Sequence, residues 1–161
     1  MSENCDWSSN WPSQKAYVKN DRITRIAHGS GMFVTWCILF PLSIFVVRYY
    51  KHHPLHLKAH RFLQITGSIS ITSFGSLAMS TYILKVKPHY WVALIVFSLS
   101  YAIMGTGLLI TWGQKALVSV NKGYPRFIKR FHQFSGVTLV LLSWVSIYLG
   151  LDAFEKYYKE E

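Results

Sequence analysis

The chain has 161 residues, of which 51% are hydrophobic, and it carries a formal net charge of +10 at pH 7. Its apolar residues are concentrated in four long runs with no charge in their interior, which excludes an ordinary soluble domain and favours a polytopic membrane protein. The basic residues gather in the loops beside these runs, where lipid headgroups and topology explain them, so nucleic acid is not an expected partner.

Residues 1–20 are predicted to form a polar tail, residues 21–151 a single transmembrane core and residues 152–161 a polar C-terminal tail. The first of these segments lacks both the apolar region of a secretory signal and the acid-poor composition of a transit peptide. We therefore expect the first apolar run to serve as the insertion signal. Cys5 and Cys37 are too few to indicate a disulfide framework or a zinc site.

Asp21 is the predicted N-cap of the first helix, because its side chain can accept hydrogen bonds from the first helical turn. Arg22, Arg25 and His28 follow at intervals of three residues and therefore share one face of that helix. Pro41 lies in the middle of the first apolar run, where its missing N–H is expected to kink the helix.

The loop after this helix contains His52, His53 and His56, with Pro54 as a helix breaker. These three histidines have no apolar run behind them, so we interpret them as solvated, with a substrate-binding role as the alternative. The second helix is predicted to start at His60. Its many glycines, serines and threonines would allow a partner to approach closely in lipid.

Pro88 is the predicted first residue of the third helix, since its fixed φ and missing N–H suit that position. His89 follows it in the first turn. A long basic loop is predicted over residues 113–131, and His132 is expected to open the fourth helix.

Each of the four apolar runs is thus preceded by a histidine, and an ionisable side chain at membrane depth indicates function. Short connections place His28 and His89 near one membrane face, and His60 and His132 near the other. In an up-and-down bundle each pair lies on a diagonal, so two imidazoles can point inward at one metal. The sequence therefore predicts an all-α, four-transmembrane-helix up-and-down bundle that encloses two haems, each with two histidine ligands.

Residues beside the histidines fit this interpretation. Haem propionates at the aqueous edges would be neutralised by basic side chains. The candidates are Lys58, Arg61, Lys129 and Arg130 at one face, and Arg25, Lys85 and Lys87 at the other. Clearance for the ring would come from small residues on the histidine-bearing faces, namely Gly31, Gly67, Ala93 and Gly136.

Two other functions compete with haem binding. Zinc prefers four ligands close together, whereas the two histidine pairs are expected at opposite membrane faces. A proton relay would need carboxylates within the apolar runs, and the sequence has none there.

The segments AHGSGMFVTW, AHRFLQ and FHQFSG, with His89 between the last two and YLGL near the end, resemble the eukaryotic cytochrome b561 core. The nearest form is the version found behind a DOMON domain in ferric-reductase-like proteins, here expected without the DOMON domain or the outer helices. The resemblance implies two b haems, paired as His28 with His89 and His60 with His132, and electron transfer across a membrane. It also implies ascorbate, or a similar small reductant, as a candidate donor.

The expected function is therefore transmembrane electron transport by an oxidoreductase, if the chain is active alone. The alternative is an accessory haem-bearing or structural subunit of a larger membrane complex, such as a respiratory complex. Besides lipid, the expected partners are a small reductant, a second copy of the chain or the subunits of that complex. The protein is expected in the plasma, a vesicular or the mitochondrial inner membrane, with both termini on the non-cytoplasmic side.

Overall fold

The computed structural model describes the backbone of residues 14–81, 88–118 and 126–159, and the side chains of residues 22–79, 88–113 and 126–156. Within these ranges every regular element is helical. Helix α1 spans Gln14–Val34, a π-helical turn spans Thr35–Leu39, α2 spans Phe40–Tyr49, α3 spans His56–Thr81, α4 spans Pro88–Val118 and α5 spans Arg126–Lys159. Lys85 and Lys87 lie outside the described residues.

The helices begin earlier than three of the sequence predictions. Asp21 lies inside α1, so its prediction as an N-cap is wrong: the preceding residues include the good helix formers glutamine, lysine and alanine. His60 and His132 likewise lie inside α3 and α5 rather than at their first residues. The predicted start of the third helix at Pro88 is confirmed.

In the part of the chain that the structure describes, three helices are long and apolar enough to cross a membrane. The candidate spans are Arg22–Tyr49, Pro88–Gly113 and Arg126–Lys156. They are consistent with an integral, multi-pass membrane protein. Helix α3 has 26 residues, but its many hydroxyl-bearing side chains keep it out of this group.

The helices pack as two hairpins. Helices α1 and α2 run along α3, while α4 runs along α5, and contacts between the two hairpins are sparse. Among the described residues, no Cα atoms of α1 and α4, or of α3 and α5, approach within 8 Å. The first helix and α4 therefore face each other across one diagonal of the bundle, and α3 and α5 across the other.

The first helix departs from α-helical hydrogen bonding just before Pro41. The N–H of Phe40 donates to the carbonyl of Thr35, five residues back instead of four. A proline within a helix removes a donor and crowds the carbonyl four residues earlier, and π-turns are one way to absorb this. The helix then continues as α2.

A small apolar core surrounds this turn at the centre of the bundle. Its buried members are Trp36, Phe40, Ile71, Val96, Leu139 and Val140. The rings of Trp36 and Phe40 pack at a centroid distance of 4.7 Å. Most other large apolar side chains face outward, as expected of helices whose outer surface meets lipid.

We predict that Gly67→Ala destabilises the bundle by about 1–3 kcal/mol, the usual cost of overpacking. A Cβ atom at Gly67 would lie 2.5 Å from the ring of Phe40, which is itself buried. Thermal unfolding in detergent measures the effect. Gly29→Ala is the matched control, because a Cβ atom there would have no neighbour within 4 Å. Equal unfolding temperatures for the two variants would contradict the close packing, and Phe40→Leu should relieve the effect of Gly67→Ala.

Candidate functional site

The four histidines of the apolar runs occupy the two diagonals of the bundle. His28 lies in α1 and His89 in α4, whereas His60 lies in α3 and His132 in α5. All four side chains are half-buried. Each reaches the backbone or a hydroxyl group of the adjacent helix in its own hairpin.

The structure brings His28 and His89 together across the first diagonal. Their ring centroids are 6.4 Å apart and their planes are inclined by 77°. The Nδ1 atom of His28 bonds to the carbonyl of Phe74 at 2.9 Å, and that of His89 to the carbonyl of Ser146 at 2.8 Å. Each ring is thereby held by the helix beside it while it approaches the ring across the bundle.

The separation of these two rings suits one metal ion between them. With metal–nitrogen bonds of about 2 Å and a ring radius of about 1 Å, two imidazoles on opposite sides of a metal have centroids about 6 Å apart. The distance between His28 and His89 matches this value without any movement of the helices.

His60 and His132 occupy the second diagonal, in α3 and α5. The Nδ1 atom of His60 lies 3.0 Å from the carbonyl and 2.8 Å from the hydroxyl oxygen of Ser43. The amide of Gln64 donates to the same hydroxyl at 3.1 Å. Ser43 is fully buried, so this acceptor is sheltered from water.

His132 reaches its neighbouring helix through a hydroxyl group. Its Nδ1 atom lies 2.9 Å from Oγ1 of Thr106, and that hydroxyl donates to the carbonyl of Ile103 at 2.7 Å. The one hydroxyl proton of Thr106 is engaged there, so the Nδ1–H of His132 is the donor in the first bond.

These partners determine the proton position in all four rings. Three rings bond to a carbonyl, which can only accept, and the fourth bonds to the Thr106 hydroxyl, whose proton is already donated. Each Nδ1 atom therefore carries the proton, and the lone pair of the neutral ring lies on Nε2. Within the described residues, no protein group is hydrogen-bonded to these four Nε2 atoms. Ligating histidines are typically held in this way, with one nitrogen bonded to the protein and the other free for the metal.

In the α4–α5 hairpin, the histidine of each helix lies against a glycine of the other helix. A Cβ atom on Gly150 of α5 would lie 3.0 Å from the ring of His89, and one on Gly107 of α4 would lie 3.1 Å from the ring of His132. Each glycine follows the histidine of its own helix at the same sequence spacing. That equal spacing is the signal by which sequence reasoning could have found them.

Gly31 and Gly67 were expected to leave space beside a histidine, but each of them lies against an aromatic ring instead. A Cβ atom on Gly31 would meet the ring of Phe74, and one on Gly67 would meet the ring of Phe40. The space beside these glycines is therefore filled by aromatic rings, and that expectation was wrong. At Gly136 a Cβ atom would have no neighbour within 4 Å.

The basic residues proposed for the propionates lie beside the histidines in sequence and outside the core. Arg61 and Arg130 are exposed, and Lys129 and Arg25 are half-buried. The Nε atom of Arg61 donates to the carbonyl of Leu57 at 3.2 Å, which leaves its terminal nitrogens for another group.

The loop histidines are bonded locally. The Nδ1 atom of His53 accepts from the backbone N–H of Leu55, and the Nδ1 atom of His56 bonds to the carbonyl of His53. His52 is exposed. The described part of the chain contains no cluster of three or more His, Cys, Asp or Glu side chains. Two imidazoles on one diagonal are fewer ligands than the four of a structural zinc site, and such a pair could hold a haem iron instead.

Comparison with known proteins gives one match. A curated protein of Arabidopsis thaliana, described as a cytochrome b561 and DOMON domain-containing protein, is 24% identical to this chain over 147 residues. The match covers 86% of this chain but only 30% of that relative. No protein-family model and no solved structure matches the chain. The similarity suggests the cytochrome b561 family, in agreement with the resemblance of the histidine-bearing segments.

We predict that His28, His60, His89 and His132 carry their proton on Nδ1 in the protein without bound metal. Histidine labelled with 15N in both ring positions gives distinct shifts for protonated and bare nitrogens. His53 is the internal contrast, because its Nδ1 atom accepts a hydrogen bond and its proton must lie on Nε2. A predominant Nε2–H signal from the four bundle histidines would contradict the hydrogen-bond assignment.

Proposed function

We propose that this chain conducts electrons across a membrane through two b-type haems, one held by His28 and His89 and the other by His60 and His132. The observation that carries the proposal is the pair of imidazoles 6.4 Å apart across the first diagonal, with both Nδ1 atoms bonded to backbone carbonyls. Similarity to a cytochrome b561 protein supports the same family-level function.

Each haem, when bound between two histidines, supplies a one-electron ferric–ferrous couple with no open position for oxygen. The protein's own residues orient the ligands and tune them. The Nδ1–H bonds raise the basicity of the ring, which strengthens donation from Nε2. Arg25, Arg61, Lys129 and Arg130 are the proposed partners of the propionates, since a guanidinium or ammonium group forms charge-assisted bonds to a carboxylate.

We further propose that α3 is the fourth span. At 1.5 Å per residue, its 26 residues extend about 39 Å, which exceeds the ~30 Å hydrocarbon layer. Two of its hydroxyls are bonded within the helix itself. Ser68 donates to the carbonyl of Gln64 and Thr72 to that of Ser68, so these side chains use backbone acceptors within the helix.

A small anionic reductant such as ascorbate fits the His60/His132 end of the bundle. The exposed cations near that end in sequence are Arg48, Lys51, Lys58, Arg61, Arg126 and Arg130. A cluster of one sign of charge raises the local concentration of the opposite ion and speeds its arrival. The rate of reduction by ascorbate should therefore fall as ionic strength rises.

Haem content tests the pairing directly. We expect two haems per chain in the unaltered protein, and one in His60→Ala or His132→Ala, with matching residual spectra because both variants empty the same site. His28→Ala and His89→Ala should retain the complementary haem. A variant that lacks both ligands of one pair should keep as much haem as a variant that lacks one of them. The double variant with His28→Ala and His60→Ala should contain no haem.

The controls for haem content are His52→Ala and His53→Ala, which should keep two haems because these residues lie in the exposed loop. Loss of a haem in a control, or retention of both in His89→Ala, would overturn the pairing. All variants are compared as monodisperse protein in detergent, so that unfolding is not read as ligand loss.

Vesicles test the conduction. We expect protein in sealed liposomes loaded with ferricyanide to reduce it when ascorbate is added outside, and His60→Ala to abolish this because one haem alone leaves half of the membrane uncrossed. His52→Ala should retain the rate. Transfer that is unaffected by His60→Ala would refute conduction through the two sites. Reduction by dithionite without reduction by ascorbate would refute only the proposed donor.

A further inference from the structure

The indole of Trp144 makes a contact that histidine ligation does not explain. Its Nε1 atom, on α5, donates to the backbone carbonyl of Trp36 in the π-turn of the first helix, at 3.3 Å. Trp144 is 47% exposed, so its ring lies partly at the bundle surface while its N–H bonds inward. Trp36 is 5% exposed.

The backbone hydrogen-bond pattern of the first helix explains why the carbonyl of Trp36 needs such a donor. In an α-helix its partner would be the N–H of Phe40, but that group donates to the carbonyl of Thr35. In the π pattern its partner would be residue 41, which is a proline and has no N–H. The carbonyl therefore loses both backbone partners in a region where neither lipid nor the apolar core can replace them.

We propose that Trp144 is a positioning residue: its indole N–H takes the place of the donor missing at Pro41 and thereby fixes α2, which carries Ser43, the acceptor for His60. The geometry separates the two sides of the π-turn. On the N-terminal side, the hydroxyl of Thr35 donates to the carbonyl of Gly31 and shares a hydrogen bond with Ser70 of α3. The α1 side is therefore secured without Trp144.

The α2 side depends on fewer bonds. Among the described residues, the polar links of α2 to other helices are those of Ser43, to His60 and to Gln64. Trp144 adds a second attachment at the start of this segment, from a different helix. Its loss should therefore move Ser43 relative to His60, while His28, bonded to Phe74 on the far side of the π-turn, stays in place.

The test is Trp144→Phe, which keeps an aromatic ring and removes the N–H. We expect a decrease in apparent Tm of about 5 °C, the order expected when a buried carbonyl loses its partner in a chain of this size. The redox readout rests on the proposed function. The midpoint potential of the haem at the His60/His132 pair should rise, because a ligand with a weaker Nδ1–H bond is less basic and stabilises ferric iron less. The potential at the His28/His89 pair should not change.

Trp112→Phe is the matched control, since Trp112 is 65% exposed near the end of the α4 span and has no hydrogen bond within the described residues. It should change neither the Tm nor either potential. The potentials are assigned to sites with His28→Ala and His60→Ala, each of which leaves one pair intact.

Pro41→Ala provides a rescue that a packing role could not produce. Alanine at position 41 restores an N–H that can donate to the carbonyl of Trp36 in the π pattern already present at Thr35. Combined with Trp144→Phe, it should recover the Tm and the potential measured for Pro41→Ala alone. A Trp144→Phe effect that equals the control, or that persists in the Pro41→Ala background, would overturn the proposal.

The two proposals can fail separately. A chain that binds no haem refutes the proposed function and the positioning of a haem ligand. The melting temperatures of the unaltered protein, Trp144→Phe, Pro41→Ala and the double variant still decide whether the indole replaces the missing donor. A chain that binds two haems with potentials indifferent to Trp144→Phe refutes only the positioning role.

Discussion

Hydrogen bonds from histidine Nδ1 atoms to the neighbouring helix constrain the whole bundle, because they fix two relations at once. The bond from His89 to the carbonyl of Ser146 fixes the register of α4 against α5, and it also holds the ring that approaches His28 across the bundle. The bond from His28 to Phe74 does the same between α1 and α3. A slip of one residue along either hairpin would turn an imidazole away from its partner. The same hydrogen bonds therefore constrain both the packing of the helices and the positions of the imidazole rings.

The need to pair every backbone group also explains the irregular part of the first helix. A membrane offers no water to a carbonyl that loses its donor, so each departure from α-helical bonding must be repaired by the protein. In the π-turn before Pro41, the backbone carbonyl of Trp36 accepts from the indole of Trp144 on α5, and the side-chain hydroxyl of Thr35 is hydrogen-bonded to that of Ser70 on α3. The irregularity thereby becomes a point at which three helices are tied together, close to the apolar core that separates the two histidine pairs.

Much of the arrangement could be predicted from the sequence because it depends on properties that residues carry individually. Apolar runs and short connections suffice to place four histidines at two ends, and the diagonal relation of His28 to His89 follows from alternation alone. The break at Pro41 follows from a missing N–H. The acceptors could not be predicted in this way, since the carbonyls of Phe74 and Ser146 are chemically like every other carbonyl and only packing selects them.

The errors also have a physical basis. Helical spacing correctly places Gly31 on the face of His28, but spacing along one helix does not say which side chain of another helix fills the gap, and Phe74 fills it. The earlier helix starts reflect a different limit. Polar residues before an apolar run can continue a helix into the headgroup layer, because the run marks the hydrocarbon boundary and not the end of hydrogen bonding.

The reciprocal placement of histidines and glycines in α4 and α5 bears on how the two hairpins are held together. All the hydrogen bonds that orient His89 and His132 come from within their own hairpin, and those of His28 and His60 come from within theirs. The orientation of each ring is therefore set within one hairpin, while the apolar core and the Trp144–Trp36 bond hold the two hairpins together. Each proposed haem takes one ligand from either hairpin, so its capture would add a further link between them. Loss of haem would then weaken the contact between the hairpins more than the orientation of the rings within each.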